Sequence, residues 1–361
     1  MKITAITRHY VFVPYVEPVA PYWGWQAPCH GAHAVIIEMH TDSGLVGYGE
    51  TAGREASEYH ARCADGAIGM NPLEITANTA LLKQRGERPA AISGLEMAMW
   101  DLLGKASGQP LYVLLGGRIR DQIPLCGLMG VKPPEEAAET AEKYVSKWGF
   151  KTIKTKAGRD LGEDRAIALA LHESVGDRVK FRFDANQNYS VSDAVALSKT
   201  YREVSLEYFE QPCHHDLMGE FKALRIEAGI PIALNESVTD ARSVHDIIAA
   251  DAADALIPDL SDAGGISEIC RIAAVADAAN IPCAFHCWHD MGIKTAAMAH
   301  LVSSLGAFSL AGDTTYHGLI EDIISVPFEI RDGVITAPNA PGLGVSPNFE
   351  AIERYRKKEV D

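Results

Sequence analysis

From Gly117 onward the chain repeats one short unit, an apolar stretch of strand length followed by an amphipathic stretch of helix length. The apolar stretches end near Gly130, Lys156, Asp184, Glu210, Glu236, Asp259, His286 and Asp313. The step is about 23–28 residues, and it is 26 both from Asp184 to Glu210 and from Glu210 to Glu236. Helical patterns fill most of the gaps, as at Glu135–Trp148, Arg165–Glu173 and Ser192–Tyr201. Parallel neighbours need a long crossover, normally a helix, so eight evenly spaced strand-then-helix units predict a closed β/α barrel. Two doubly wound domains would need no such even spacing.

The stretch ahead of the repeat reads differently. Residues 2–13 and 34–40 alternate like strands, and the turn Thr41-Asp42-Ser43-Gly44 folds the second onto Leu45–Glu50. From about Ser57 to Ser107 the pattern is helical. Leu95, Met99, Leu102 and Ala106 share one face, and Gly108-Gln109-Pro110 stops the helix. Beyond residue 330 the segment TAPNAPGLGVSPN breaks the period and is expected to pack back on the first part. The expected architecture is α/β: a modified TIM (β/α)-barrel with an N-terminal α+β capping domain completed by the C-terminal tail. The expected divisions are 1–122 for the cap with its specificity loops, 123–329 for the barrel and 330–361 for the tail.

Composition narrows the function. With 47% apolar and 22% charged residues the chain is globular. Lysine and arginine number 33 against 48 acids, a net charge of −15 that repels a phosphate backbone and argues against nucleic acid as partner. No apolar run approaches the roughly 20 residues of a membrane helix, and MKITAITRHYVF lacks the apolar block of a signal peptide. A soluble, uncleaved chain with no membrane partner is expected. Seven cysteines without metal-finger spacing, Cys283 and Cys287 among them, read as core thiols in a reducing compartment, by default the cytoplasm.

Active sites of such barrels lie at the C-terminal ends of the strands. Those ends carry Lys154 and Lys156 (strand two), Asp184 with Asn186 (three), Glu210 (four), Asn235 and Glu236 (five), Asp259 (six) and His286 (seven). Either Asp184, Glu210 and Glu236 are unrelated surface carboxylates, or, lying at one height on adjacent strands, they repel one another unless a cation sits among them. An all-oxygen set suits Mg²⁺ better than Zn²⁺. Lys154 and Lys156 share a face; they are either a solvated pair or a pair in which each ammonium disfavours the other's charge, bringing one into the range of a base. His286 alone would be a core or edge histidine. Asp259 beside it would fix the imidazole tautomer and raise its basicity. Bases on strands two and seven, facing each other across a metal, suit removal of a proton from carbon next to a carboxylate, with the metal stabilising the ene-diolate.

These residues resemble the enolase superfamily, and within it the mandelate racemase subgroup. The segment AISGLEMAMWDLLGKASGQPLYVLLGG is similar to the family's A-x₅-ALWDL-x-GK-x₃-P-x₃-LLGG helix, PGLGV near residue 341 to its closing motif, and the KxK, D-x-N, EQP and NE runs fall in family order. The resemblance covers essentially the whole chain. It implies Asp184, Glu210 and Glu236 as Mg²⁺ ligands and Lys156 as the strand-two base. Lys154 becomes the companion that lowers its pKa and touches the substrate carboxylate, and His286 with Asp259 the catalytic dyad. Asp259 stands five residues before Gly264, where the muconate cycloisomerase subgroup carries a lysine. This argues against lactonisation of muconate, succinylbenzoate synthesis and dipeptide epimerisation. The strand-eight glutamate of mandelate racemase is missing, and Asp313 is the nearby acid, either a substrate-binding group or a loop cap.

His289, Asp290 and His317 are lesser candidates, read first as loop residues. The loop PYVEPVAPYWGWQAPCHGAH, with Trp23 and Trp25, either packs the domain interface or walls the substrate's distal end. The expected partner is a small-molecule carboxylate, and the resemblance implies a homo-oligomer. The leading expectation is a hydro-lyase that dehydrates an acid sugar to a 2-keto acid. A racemase or epimerase of a 2-substituted carboxylate, or a cycloisomerase of a sugar-acid lactone, stands as the alternative.

Overall fold

The computed structural model describes residues 1–20, 22–23, 28–53 and 56–357, with Tyr22 and Trp23 as backbone alone. The N-terminal part is a three-stranded antiparallel sheet of Ile3–Pro14, Gly31–Thr41 and Val46–Ala52, the middle strand in the centre. The helical stretch divides into Ser57–Ala67, Ile75–Gln84 and Pro89–Ser107. The last helix starts with proline in its first turn and ends on Gly108 in the left-handed region, as its sequence signals require. Leu95, Met99 and Leu102 are buried, whereas Ala106, in the final turn, is exposed. The helix lies unusually close to the sheet: a Cβ on Gly49 would sit 2.0 Å from the carbonyl oxygen of Gly94. Only glycine permits that approach.

The barrel strands are Gln122–Met129, Thr152–Lys156, Lys180–Asp184, Leu206–Glu210, Ile232–Leu234 and Ala255–Leu256, with Gly312–Thr314 eighth. All pair in parallel, and the eighth returns to the first. The seventh position, residues 283–286, forms no extended ladder but closes the ring through single bonds. Ala284 and His286 donate to Leu256 and Pro258, and Asp313 donates to Phe285. Helices Pro134–Lys143, Leu161–Val175, Val191–Tyr201, Met218–Ala228, Ala241–Ala249, Ile266–Ala278 and Gly292–Ser304 cover the outside. The expected eighth helix is replaced by a short 3₁₀ turn, Tyr316–Gly318, because the chain there runs into the tail. Part of the tail does something the sequence pattern did not indicate: Val334–Thr336 pairs antiparallel with barrel strand one. Farther on, Leu343 N donates to Asp101 Oδ1 and Phe12 N to the carbonyl of Tyr355.

Two buried carboxylates tie the N-terminal elements to the barrel. Glu96 accepts from the backbone N–H groups of Ile266 (2.8 Å) and Ser267 (2.9 Å), and Glu50 from those of Met291 (2.6 Å) and Lys294 (2.8 Å). Each satisfies donors at the start of a barrel helix that lacks a side-chain cap of its own. All seven cysteines are free, and no helix among the described residues is long and apolar enough to cross a membrane.

Candidate active site

Parallel pairing of Lys156 with Asp184 and of Asp184 with Glu210 sets the ends of strands two, three and four at one level. Just past two of these ends the backbone turns through the left-handed region, at Asn186 and Gln187 (φ 43° and 71°) and at Gln211 (φ 35°). Lys154 Nζ lies 2.6 Å from Glu210 Oε1, 2.8 Å from Asp313 Oδ2 and 3.2 Å from Asp184 Oδ2, fully buried. Lys156 Nζ lies 2.5 Å from Asp184 Oδ2 and 2.8 Å from Asn186 Oδ1, and Asn186 Nδ2 donates to Glu236 Oε1 at 3.0 Å. One continuous network thus links Lys154, Lys156, Asp184, Asn186, Glu210, Glu236 and Asp313.

The network sets the charge of Lys154. Burial alone would lower the Lys154 pKa, but Asp184, Asp313 and Glu210 raise it well above the ordinary lysine value. Lys154 is therefore held as a cation, because the carboxylates outweigh its burial. Asp184 is held low: burial opposes this, but Lys154 and Lys156 prevail. Glu210 is pushed up to about 8, first by burial and then by the nearby Asp184 charge. Burial and Asp184 raise Glu236 as well.

The three carboxylates do not meet at one point. Lys154 bridges Asp184 and Glu210, and Asn186 reaches Glu236. Among the described residues, the one set of three His, Cys, Asp or Glu ligand atoms within 4.8 Å of one another is the exposed His214, His215 and Asp216, just past strand four. The acidic set nevertheless fits a divalent ion. Glu210 Oε2 and Glu236 Oε2 are buried oxygens without a hydrogen-bond partner, an arrangement that costs free energy unless a cation completes it.

On the far side, His286 Nδ1 lies 3.3 Å from Asp259 Oδ2. The carboxylate has a second, closer partner that the sequence did not reveal: Lys294 Nζ, 3.0 and 3.1 Å from its two oxygens. Asp259 raises the imidazole's basicity as expected, but the net shift is downward. Burial lowers the His286 pKa, the Asp259 contact opposes that, and Lys154 adds to the lowering. Asp313 is buried at the start of the mouth, and its side chain caps no loop. Its Oδ1 accepts from Arg182 Nη1 at 2.9 Å and its Oδ2 from Lys154. Arg182 fills the barrel interior, donating also to Glu207 and the carbonyl of Ala311 and stacking 4.6 Å above the Tyr208 ring. It alternates with Asp184 in FRFD, a period-two signal that would have found it.

Among the remaining candidates, Asp290 Oδ1 pairs with Lys294 at 2.9 Å and His289 Nδ1 lies 2.7 Å from the Tyr15 hydroxyl. His317 is half-buried, with its ring nitrogens shielded from solvent, against Tyr144, Trp148 and Phe150. Trp25 and the Trp23 side chain lie outside the described residues; the Trp23 backbone pairs with Pro28. Asn235 braces the mouth, donating to the Ile257 carbonyl at 2.7 Å. A cavity of about 330 Å³ opens beside it, lined by Glu236, Val238, Ser261, Asp262 and Trp288.

A closed β/α barrel with an N-terminal sheet, and with acids and lysines interleaved at the strand ends, defines a class of barrel enzymes with acid–base groups at the mouth. The chain belongs to the enolase superfamily, in its mandelate racemase subgroup: residues 136–352 match the enolase C-terminal domain-like family, and residues 11–116 the mandelate racemase/muconate lactonizing enzyme N-terminal domain. It is 28% identical to a D-galactarolactone cycloisomerase of Agrobacterium fabrum, over 89% of this chain and 91% of the relative. It is also 28% identical to an arabinonate dehydratase of Saccharolobus solfataricus, over 91% and 92%. A dipeptide epimerase from Cytophaga hutchinsonii, solved with Mg and D-Ala-L-Val, superposes with a TM-score of 0.93 at 25% identity, covering 100% of both chains. The chain is an enzyme of a family whose members include dehydratases, racemases, epimerases and cycloisomerases.

Proposed function

We propose that the protein abstracts the proton α to a substrate carboxylate with Mg²⁺ as cofactor, and that its reaction is dehydration of an acid sugar to a 2-keto acid. The observation that carries this reading is the presence of a lysine and a histidine, each beside a carboxylate, on separate strands around one acidic mouth. Lys156 stands on strand two, and His286, oriented by Asp259, on strand seven. Asp184, Glu210 and Glu236 would hold the ion, the last two through their unpartnered oxygens. Bound there, a divalent cation supplies positive charge against the substrate carboxylate as negative charge spreads onto it.

The chain's own residues do the rest. Lys154, fixed as a cation by three carboxylates, offers its charge to the substrate carboxylate. A base on one face takes the α-proton, and His286, kept neutral by burial, is suited to receive a proton; once it has taken one, it can pass that proton to a departing β-hydroxyl, which leaves as water. The relatives named for arabinonate and D-galactonate dehydration support the acid-sugar class. The dyad at strands six and seven favours it over dipeptide epimerisation. Opposed bases would also serve epimerisation, so the test reads products: aldonic and aldaric acids are screened with Mg²⁺ for 2-keto acid. Accumulation of 2-keto acid supports dehydration, whereas an epimeric acid without keto acid would replace it.

A further inference from the structure

We propose that Lys294 is a positioning residue for the His286–Asp259 pair: its ammonium takes up the charge of Asp259, so that His286 is held as an oriented, weakly basic imidazole. The inference rests on the acid–base reading of His286 but not on any substrate. Lys294 lies on the helix Gly292–Ser304, its side chain 2% exposed, with Nζ 3.0 and 3.1 Å from the two oxygens of Asp259 and 2.9 Å from Asp290 Oδ1. Ser261 N donates to Asp259 Oδ1 at 2.6 Å. His286 Nδ1, at 3.3 Å, is the most distant of the carboxylate's partners. A lone aspartate would strongly favour an imidazolium beside it; an aspartate already paired with an ammonium orients the ring with much less gain in basicity.

The location of Lys294 is itself fixed from the N-terminal sheet. Glu50 accepts from the Lys294 and Met291 backbone N–H groups and so pins the first turn of the helix. The charged groups facing His286 are Asp259 from strand six, Asp313 from strand eight and Lys154 from strand two. Lys294 and Asp290 stand behind Asp259, with Glu50 behind them. Of these, Lys294 and Asp290 can be altered without touching the acidic mouth. An imidazole of reduced basicity is neutral when a proton must be taken and releases it readily afterwards.

The test follows the imidazole nitrogens of His286 by NMR across pH, in the full chain labelled at histidine and kept in Mg²⁺, with His286→Asn assigning the signal. Lys294→Met should raise the His286 midpoint by about one unit or more, and Asp290→Asn, which leaves Lys294 committed to Asp259 alone, should lower it. Lys294→Arg keeps the charge and should follow the wild type. An unmoved midpoint in Lys294→Met and Asp290→Asn overturns the proposal, as does a downward shift in Lys294→Met. If Lys294→Met does not fold, Asp290→Asn decides alone, a downward shift supporting the proposal and any other result overturning it. The ring is read without substrate, so failure of the dehydration assay leaves this result intact.

Discussion

Lys154 is the cation at the centre of the acidic network, and replacing it with methionine keeps the length of the side chain while removing its charge. Three buried carboxylates, Glu210, Asp313 and Asp184, lose a partner at 2.6, 2.8 and 3.2 Å. Arg182 still holds Asp313 and Lys156 still holds Asp184, so Glu210 bears most of the loss. Removing one side of a buried charge pair costs about 3–5 kcal/mol. For 361 residues at about 2.1 cal/mol/K each, the unfolding entropy near Tm is about 0.8 kcal/mol/K, so the fall in Tm should be about 4–6 °C.

Two further readouts distinguish this cause from simple cavity formation. A glutamate with a raised folded pKa binds a proton where the unfolded chain does not, so its contribution to stability falls as pH rises from about 4.5 towards about 8. Loss of Lys154 raises that folded pKa further, so the gap between variant and wild type should be widest above pH 8 and narrow as the pH falls towards about 8. Added Mg²⁺ should also raise the Tm of Lys154→Met more than that of the wild type, because it replaces the missing charge. Thermal unfolding followed by circular dichroism measures all three. A Tm change under 1 °C (on the order of measurement error for a shift of this size), or a gap that widens on acidification, would refute the reasoning.

Other outcomes follow from neighbouring groups. Glu210→Gln should reduce activity by orders of magnitude and recover part of it at high Mg²⁺, whereas full activity of the wild type in EDTA would remove the metal from the account. His286→Asn should abolish turnover while leaving α-proton exchange through Lys156, and Asp259→Asn should act in the same direction more mildly; wild-type turnover in His286→Asn would make the pair structural. His317 has its ring nitrogens shielded from solvent, and this burial of the imidazole lowers its pKa to about 3. Its contribution to stability is whole above the unfolded value of 6.5 and falls as pH drops below it, so His317→Phe should unfold less readily than wild type near pH 5. Equal acid unfolding curves for the two proteins would contradict that. Glu96→Ala removes the acceptor for Ile266 N and Ser267 N and should cost about 1–3 kcal/mol in urea unfolding; an unchanged midpoint would mean that water replaces the carboxylate.

The barrel was legible because a repeated step of strand and helix is a property of spacing, which survives any choice of side chains. The acids and lysines of the mouth were legible for a related reason, since a charged residue ending an apolar strand stands out against its local pattern. What stayed hidden depends on pairing across distance. Lys294 lies 35 residues beyond Asp259 on a helix whose residues are buried on nearly every side, and nothing local marks it as the partner of that carboxylate. Glu50 and Glu96 look like ordinary charges in a strand and a helix, yet both cap barrel helices. The net basicity of His286 was hidden for the same reason. A sequence shows which residue stands next to a group, while its charge state depends on everything that surrounds it.

The central claim is that this mouth removes a proton from carbon beside a carboxylate. The direct measurement is proton NMR of aldonic and aldaric acids incubated in D₂O with Mg²⁺ and either the wild type or Glu210→Gln. The account predicts that the wild type causes loss of the α-proton signal of at least one acid, with deuterium entering the substrate or the 2-keto product, and that Glu210→Gln leaves the signal unchanged over the same period. Keto-acid formation with the α-hydrogen retained, or equal exchange by both proteins, would contradict it.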